Sequence, residues 1–295
     1  MDPNEVRCSR LAREQDAQLA GTAREAKALV LVQQEGPWPR DAIGLSRLSE
    51  GLKVHLAQPG VETFLLRGRS KDAAARAAYV VQLQQGRVWG LDHASDADLL
   101  ALDLPALCAG AAPPWPVAQP LLLVCTHSKR DRCCAEIGRP IYKALHEEWP
   151  ARTWEVSHLG GHRFAGNVVA CPQGWFYGNL DPDSAVAAIK ALDEGRLVLD
   201  HLRGHGGLSA EVQYAEIELR RHLGHDRLTG VTVLSHERGR VAIDVDGTAY
   251  EVLVDTVPGP DLLMSCRDDL PKASTCFVTL AIRELATEDP DSGGQ

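Results

Sequence analysis

The chain has 295 residues, of which 44% are hydrophobic and 24% charged, and its formal net charge is −9 at pH 7. This length predicts two or three domains. The composition is that of a globular protein and has no disorder signature. The acidic balance argues against a general nucleic-acid-binding protein, and the apolar runs are too short to cross a membrane. Charged residues throughout positions 1–20 argue against a signal peptide, so we predict a cytoplasmic location.

The chain contains eight cysteines, too few for a disulfide scaffold at this length. In a reducing compartment, clustered cysteines more often bind metal or take part in redox chemistry than form structural bridges. No Cys-x-x-Cys motif occurs in the sequence. Its absence disfavours a thioredoxin-type dithiol and most zinc ribbons.

Residues 1–112 predict a unit with the order strand, helix, three strands and helix, preceded by a helical lead-in over residues 1–22. Cys8 in the lead-in has no partner at metal-ligand spacing and is interpreted as an ordinary buried or surface thiol. Helical spacing is found in AIGLSRLSEGL (42–52) and DADLLALDL (96–104). Apolar patterning predicts strands in KALVLVQQ (27–34), VETFLLRG (61–68), AAYVVQLQQ (77–85) and RVWGLDH (87–93).

The same order of elements recurs over residues 118–206, after a proline-rich joint at 111–120. Local likeness supports the repeat, since QQGRVWGLD (84–92) resembles CPQGWFYGNLD (171–181). We therefore predict two similar halves, with ligand candidates only in the second. The predicted elements are LLLVC (121–125), a helix over 135–148, TWEVSHL (153–159), NVVACPQ (167–173), WFYGNL (175–180) and a helix in DSAVAAIKALDEG (183–195).

Residues 207–295 predict a small third unit with one helix, over 211–223, followed by alternating strands and an acidic tail. Asp246-Gly247 is a strong hairpin-turn signal between two of these strands. Cys266 and Cys276 lie ten positions apart and are considered as a second ligand pair, although core packing is the ordinary interpretation. The whole chain is thus predicted to be an α/β (α+β) protein.

Candidate ligands are concentrated in residues 125–167. Cys125 ends an apolar strand, Cys133 and Cys134 lie just before a predicted helix, and His158 and His162 flank two glycines in a predicted loop. The His-x3-His spacing alone is a weak signal. It recurs at His201 and His205, with a closer pair at His222 and His225, and we interpret both pairs as helix-surface histidines.

The loop between the cysteines carries Lys129, Arg130 and Arg132, and positive charge beside a helix N-terminus favours a thiolate. Thiolates bind soft metals. Two cysteines from one loop and two histidines from another suit either zinc or a 2Fe-2S cluster with mixed ligands. A third interpretation is a thiol enzyme, in which Cys125 or Cys134 is activated by His127 or His162.

The segments CTHSKRDRCC (125–134) and HLGGHRFAGN (158–167) together resemble the sucrase/ferredoxin-like family, relatives of the thioredoxin-fold 2Fe-2S ferredoxins. Further likeness lies in RCS (7–9), GPWPRDA (36–42) and the two-half layout. The resemblance implies two thioredoxin-like halves and a 2Fe-2S cluster bound by Cys125, Cys134, His158 and His162. The family spacing of nine positions between the cysteines selects Cys134 over Cys133, which is then a spare thiol or a core residue.

The resemblance also implies one-electron transfer and no substrate of its own, and ligating imidazoles can couple electron uptake to proton uptake. Expected partners are a flavoprotein reductase or another electron carrier, attracted by the basic loop at 129–132. His127, His146 and Arg163 lie near the ligands in sequence and are considered for contacts to the ligands or to a partner, against ordinary surface placement. The main alternative is a zinc-stabilised Cys2His2 interaction module.

Overall fold

The computed structural model describes residues 7–68 and 76–285 and confirms the α+β fold class. The start of the predicted lead-in and the acidic tail lie outside these residues. No helix in the described part of the chain is long and apolar enough to span a membrane. The α-helices are α1 Cys8–Glu14, α2 Glu50–Leu56, α3 Asp96–Leu100, α4 Leu104–Cys108, α5 Arg132–Glu148, α6 Pro182–Asp193 and α7 Ala210–Leu223.

The strands form two sheets. The strands of the first half are β1 Ala28–Gln33, β2 Val61–Arg67, β3 Ala78–Gln82 and β4 Arg87–Leu91. The second half contributes β5 Leu121–Cys125, β6 Thr153–Val156, β7 Val168–Cys171, β8 Trp175–Tyr177 and β9 Leu202–His205. The remaining strands are β10 Val231–Glu237, β11 Arg240–Val245, β12 Thr248–Pro258 and β13 Thr275–Glu284.

The large sheet is built from two quartets with the same strand order. In the first quartet β1 is parallel to β2 and antiparallel to β3, which pairs with β4. In the second, β5 is parallel to β6 and antiparallel to β7, which pairs with β8. This is the pattern expected of two repeated halves, while the domain boundaries remain predictions.

The two quartets are joined edge to edge. Strands β2 and β6 pair antiparallel, with Leu66 opposite Val156 and Arg67 opposite Glu155. With β9 added beyond β8, the result is one nine-stranded mixed sheet, in the order β4-β3-β1-β2-β6-β5-β7-β8-β9. The strands β10 to β13 form a separate antiparallel sheet.

Alternation along each strand separates two cores on the faces of the large sheet. Leu121, Leu123 and Cys125 of β5 lie in one buried cluster with Leu29 and Leu31 of β1, so both halves share this core. Leu122 and Val124, on the other face of β5, lie in a second buried cluster with residues of α5, α6 and α7. Cys125 therefore ends its strand on the face shared by the two halves.

Helix α5 begins at Arg132, three residues before the predicted start. The cause is Asp131, whose carboxylate caps the helix by accepting a 3.0 Å hydrogen bond from the Cys133 amide. Cys133 and Cys134 are therefore inside the first turn. Consecutive helical residues are rotated by about 100°, so the two vicinal thiols point in different directions.

Helix α5 lies directly against the end of β5. A Cβ atom at Gly138 would be 2.0 Å from the carbonyl oxygen of Cys125, so only glycine permits this approach. The close packing holds the first turn of α5 next to the carboxyl end of β5.

Helix α2 starts later than predicted, at Glu50, because residues before it form turns. The Asp41 carboxylate accepts a hydrogen bond of 2.9 Å from the Gly44 amide, which is a turn that competes with a helix. In the C-terminal unit, Asp246 (φ 53°) and Gly247 (φ 86°) form the predicted hairpin turn between β11 and β12.

Candidate metal centre

The four predicted ligand residues lie near the ends of neighbouring elements. Cys125 is the last residue of β5, and Cys134 is in the first turn of α5. His158 follows β6 by two residues, and His162 begins a 3₁₀ helix, His162–Phe164. Because β5 and β6 are parallel, their carboxyl ends meet at one edge of the sheet.

Three of the four donors converge directly. The ligand atoms of Cys125, Cys134 and His158 all lie within 4.8 Å of one another. Nδ1 of His158 lies 3.7 Å from Sγ of Cys134, and Nε2 of His158 lies 3.2 Å from Nδ1 of His162. His162 thus adjoins the group through the His158 ring.

The sulfur side of this group is closed to solvent, since Cys125 and Cys134 are each 1% exposed. Hydrogen bonding from the Cys134 thiol, and then from His158, holds the pKa of Cys125 well below its ordinary value despite burial. The same pairing raises the pKa of Cys134. The two shifts have opposite directions because the two sulfurs share one hydrogen bond.

His162 is half-buried beside a carboxylate. Its Nε2 atom lies 3.9 Å from Oδ2 of Asp131. Burial, followed by the neighbouring His158, lowers the pKa of His162, and Asp131 opposes this shift. The neutral imidazole, which is the form that binds metal, is consequently favoured.

The histidine loop is held by a buried arginine and a buried asparagine. Arg203 is 2% exposed and donates from Nη1 to the Gly160 carbonyl oxygen (3.1 Å) and to Oδ1 of Asn167 (2.8 Å). Asn167 donates from Nδ2 to the carbonyl oxygen of Gly161 (3.0 Å). The backbone carbonyl oxygen of Asn167 accepts a hydrogen bond from the backbone amide of Cys125 (3.0 Å). These bonds connect the loop to the end of β5.

Sequence reasoning missed Arg203, because it lies in the HLRGH segment, more than 40 positions from the histidine loop. Burial lowers the pKa of Arg203 to about 9, so the guanidinium stays charged at neutral pH. At Gly161, φ is +65° and an added Cβ would be 2.5 Å from Nη2 of Arg203. The second glycine of the loop therefore permits the contact with the arginine.

Residues 19–204 match the model of the sucrase/ferredoxin-like family. The match covers more than half of the chain. This protein belongs to the sucrase/ferredoxin-like family.

Similar curated proteins carry the name "Altered inheritance of mitochondria protein 32". The Clavispora lusitaniae protein is 31% identical over 99 residues, which are 30% of this chain and 36% of that protein. The Meyerozyma guilliermondii protein is 29% identical over 100 residues, again 30% and 36%. The Saccharomyces cerevisiae protein is 33% identical over 97 residues, which are 28% of this chain and 31% of that protein. The chain thus spans about a third of the length of these relatives, and no solved structure matches it.

In this family member a cleft of about 360 Å³ opens beside His158, between the two halves. His127 lines it but is only 2% exposed, so ordinary surface placement is wrong for this residue. Nε2 of His127 is 2.7 Å from the carbonyl oxygen of Pro39, within the GPWPRDA loop. The charged residues that line the cleft are Arg24, Arg40, Asp41, Glu62 and Arg130.

Two other residues considered for contacts near the ligands pack locally. His146 stacks on Tyr142, with ring centroids 5.3 Å apart, and the guanidinium of Arg163 lies 4.4 Å from the centroid of Phe164. Within the described residues, neither belongs to the converging group of donors. Their side chains support α5 and the 3₁₀ helix.

The interpretation of His205 as a helix-surface residue is wrong, whereas His201 does lie in a helical turn and is not buried. His201 ends a 3₁₀ helix, and His205 ends β9 and packs edge-on against Trp175, with ring centroids 5.1 Å apart. The reason is that β9 pairs with β8, which turns this segment into an edge strand of the large sheet. His222 does lie exposed on α7, as predicted.

Cys133 turns away from Cys125 and meets two cysteines that the sequence did not connect to it. The ligand atoms of Cys8, Asp131, Cys133 and Cys266 lie within 4.8 Å of one another. Cys8 is buried, as one of the two ordinary interpretations of this thiol expects, but it has neighbours that its spacing in the sequence does not show. Cys266 lies with Cys8 and Cys133 rather than with Cys276. Spacing could not predict this group, because its members come from three distant segments.

Proposed function

We propose that this protein is an electron carrier in which Cys125, Cys134, His158 and His162 hold a 2Fe-2S cluster. The observation that carries the proposal is the convergence of two buried sulfurs and one imidazole within 4.8 Å, with a second imidazole 3.2 Å behind the first. When bound, such a cluster supplies reversible one-electron chemistry, at a potential raised by its imidazole ligands.

The donor set fits a mixed-ligand iron-sulfur centre in its chemistry. Two thiols can supply the anionic ligands for one metal, and two neutral imidazoles can supply those for another. The charged guanidinium of Arg203 lies near both sulfurs and offsets their negative charge on ionisation. The Arg203–Asn167 pair holds the histidine loop close to the cysteines.

Burial separates the roles of the two kinds of ligand. The cysteines are closed to solvent, whereas His158 and His162 are half-buried, and His158 lines the cleft. An imidazole that binds through one ring nitrogen keeps the other nitrogen free to hold or release a proton. We therefore propose that electrons and protons are exchanged on the histidine side.

The proposed partner is a redox protein, such as a flavoprotein reductase or another electron carrier. Arg24 in the cleft is paired with Glu62 at 2.6 Å, whereas Arg40 and Arg130 add positive charge to the same opening. The exposed Lys129 extends this charge onto the adjoining loop. An acidic surface would be attracted to this part of the molecule, and raised salt should slow the association.

A zinc-stabilised module is the second candidate, and one observation favours it. Donor atoms within 4.8 Å of one another are spaced for a single ion. A closed tetrahedral zinc site would leave no position for chemistry. The thiol-enzyme interpretation has less support, because a nucleophile must be reachable and both cysteines are 1% exposed.

The deciding experiment is an absorption spectrum of freshly purified protein, with iron, acid-labile sulfide and zinc measured on the same sample. A brown protein with about two irons and two sulfides per chain supports the proposal. A colourless protein whose proposed centre holds about one zinc overturns it in favour of the structural module.

Three variants sharpen this result. Cys134→Ser should lose the visible absorption, whereas its vicinal control Cys133→Ser should keep it, because only Cys134 faces Cys125. His162→Cys should keep the absorption, lower the potential and flatten its pH dependence, since a thiolate replaces a titrating neutral ligand. An unchanged pH profile in His162→Cys would count against His162 as a ligand.

A further inference from the structure

Three cysteines from distant parts of the chain meet beside the proposed centre. Cys8 begins α1, Cys133 is in the first turn of α5, and Cys266 lies in the segment between β12 and β13. The Sγ–Sγ distances are 3.1 Å for Cys133 and Cys266, 3.5 Å for Cys8 and Cys266, and 3.7 Å for Cys8 and Cys133. Cys8 and Cys133 are fully buried, and Cys266 is half-buried.

A buried carboxylate belongs to the same group. Asp131 is 1% exposed, and its Oδ1 atom lies 3.9 Å from Sγ of Cys8. Its Oδ2 atom accepts hydrogen bonds of 2.9 Å from the hydroxyl of Ser265 and from the amide of Cys266. One side chain therefore caps α5 and anchors the Cys266 segment to it.

The thiols pack against Ala165, Ile137 and Leu263, but they also contact polar groups. Ser9 donates a 3.1 Å hydrogen bond to Sγ of Cys133, and the amide of Cys8 lies 3.5 Å from Sγ of Cys266. Thiolates beside this buried carboxylate would require compensating positive charge.

Nε2 of His162 lies 3.9 Å from Oδ2 of Asp131. A cation bound where the three thiols and the Asp131 carboxylate meet would offset the negative charge of these groups.

The sulfur spacing matches that of a thiolate-bound ion. A tetrahedral Zn²⁺ site with Zn–S bonds of about 2.3 Å has sulfurs about 3.8 Å apart. The observed separations of 3.1 to 3.7 Å need only small outward shifts to reach that value. Thiolate-rich sites select thiophilic ions such as Zn²⁺ over Mg²⁺ or Ca²⁺.

We propose that Cys8, Cys133 and Cys266 bind one thiophilic divalent cation of the Zn²⁺ class, with the Asp131 carboxylate at the fourth position. The site connects α1, the first turn of α5 and the segment before β13. Cys8 and Cys266 lie outside residues 19–204, so the site is built partly from chain beyond the family match.

The test is metal analysis of the full-length protein purified under reducing conditions, with Cys276→Ser as the matched control. Cys276 is a half-buried cysteine in the same C-terminal unit but outside the group. Cys8→Ser and Cys266→Ser should each lose about one zinc per chain. Cys276→Ser should keep it. Unchanged zinc in Cys8→Ser overturns the proposal.

A measurement on the wild-type protein covers the case in which Cys8→Ser does not fold. Alkylation by N-ethylmaleimide, mapped by mass spectrometry, should spare Cys8, Cys133 and Cys266 in the zinc-loaded protein and modify them after chelation. Equal modification before and after chelation overturns the proposal. A Cys133–Cys266 disulfide, detected by mass spectrometry as the loss of two hydrogen atoms in a zinc-free chain, would also overturn the proposal.

Failure of this site and failure of the proposed function are distinguishable. Visible absorption and iron report on the Cys125 centre, and should be unchanged in Cys8→Ser and Cys266→Ser. If the first centre also holds zinc, Cys125→Ser and Cys8→Ser should each remove a different equivalent, and the double variant should remove both.

Discussion

The two quartets of the large sheet share one strand order but differ at the point where the candidate centre lies. Gln33 pairs with Leu66 at the end of β1 and β2, and Cys125 pairs with Val156 at the end of β5 and β6. The position of Cys125 is thus occupied by glutamine in the first half. His158, two residues after Val156, corresponds to Gly68 in the same way.

Gln33 performs a structural task at its position. Its Oε1 atom accepts a 3.0 Å hydrogen bond from the Ala77 amide, and its Nε2 atom donates to Glu35 at 2.9 Å. The first half therefore uses a buried amide to close its loop, where the second half places a sulfur. The comparison teaches that the shared topology supplies the edge of the sheet, and that the residues on this edge decide between packing and the proposed metal binding.

The largest expected effect is a difference in metal content between variants at the two corresponding positions, Cys125 and Gln33. Cys125→Ser should remove all metal from the proposed centre, because a buried thiolate ligand is lost. Gln33→Ser should retain the metal and reduce the free energy of unfolding by about 1–3 kcal/mol, because the Ala77 amide loses its partner. Metal analysis and urea unfolding measure the two effects. Metal loss in Gln33→Ser as well would show that the halves do not divide these tasks.

Next in size is removal of the arginine that holds the histidine loop. Arg203→Met keeps most of the side-chain volume but loses the bonds to Gly160 and Asn167. Retention of metal against a chelator should fall by about 10- to 100-fold, as for other residues that orient ligands. Arg220→Met is the control, since Arg220 is equally buried but pairs with Glu216 on α7. Equal metal retention in the two variants would remove Arg203 from the account.

A smaller effect is expected from alanine at the loop glycine. Gly161→Ala and Gly195→Ala both place a Cβ at positive φ, +65° and +79°, which costs about 1–2 kcal/mol. Gly195 has open space around it, whereas at Gly161 the Cβ meets Arg203 at 2.5 Å. Thermal unfolding should therefore show a larger loss for Gly161→Ala, and only that variant should weaken metal retention. Equal losses of stability in the two variants would mean that Arg203 moves aside to accommodate the new Cβ atom without weakening the fold.

The smallest expected effect is a pH dependence that arises away from the centre. His205 accepts a 3.2 Å hydrogen bond from the Gly207 amide at Nδ1, and burial lowers the pKa of His205. Below its ordinary pKa of about 6.5 the unfolded chain takes up a proton that the folded chain does not. The free energy of unfolding should therefore fall as pH falls below about 6.5, and His205→Asn should flatten this slope. Parallel slopes in the two proteins would assign the dependence to other groups.

Much of the fold follows from local pattern. Apolar runs such as LLLVC predict β5 within a residue, and the Asp246-Gly247 pair predicts its hairpin turn. The local pattern predicts helix starts less accurately, because side-chain hydrogen bonds to backbone amides decide where a helix begins. The cap made by Asp131 places the start of α5 earlier in the chain than predicted, and the turn made by Asp41 places the start of α2 later.

The sequence by itself determined the strand periodicity, the repeat and the pairing of a cysteine loop with a histidine loop. These features follow from the sequence because buried and exposed residues alternate with a short period along a strand, and because cysteine and histidine, the residue types that bind metals, are identified directly in the sequence. Only the tertiary structure decided that Arg203 holds the histidine loop, that β2 pairs with β6, and that Cys8 meets Cys266. Those contacts join residues as far as 258 positions apart, and no local pattern encodes them.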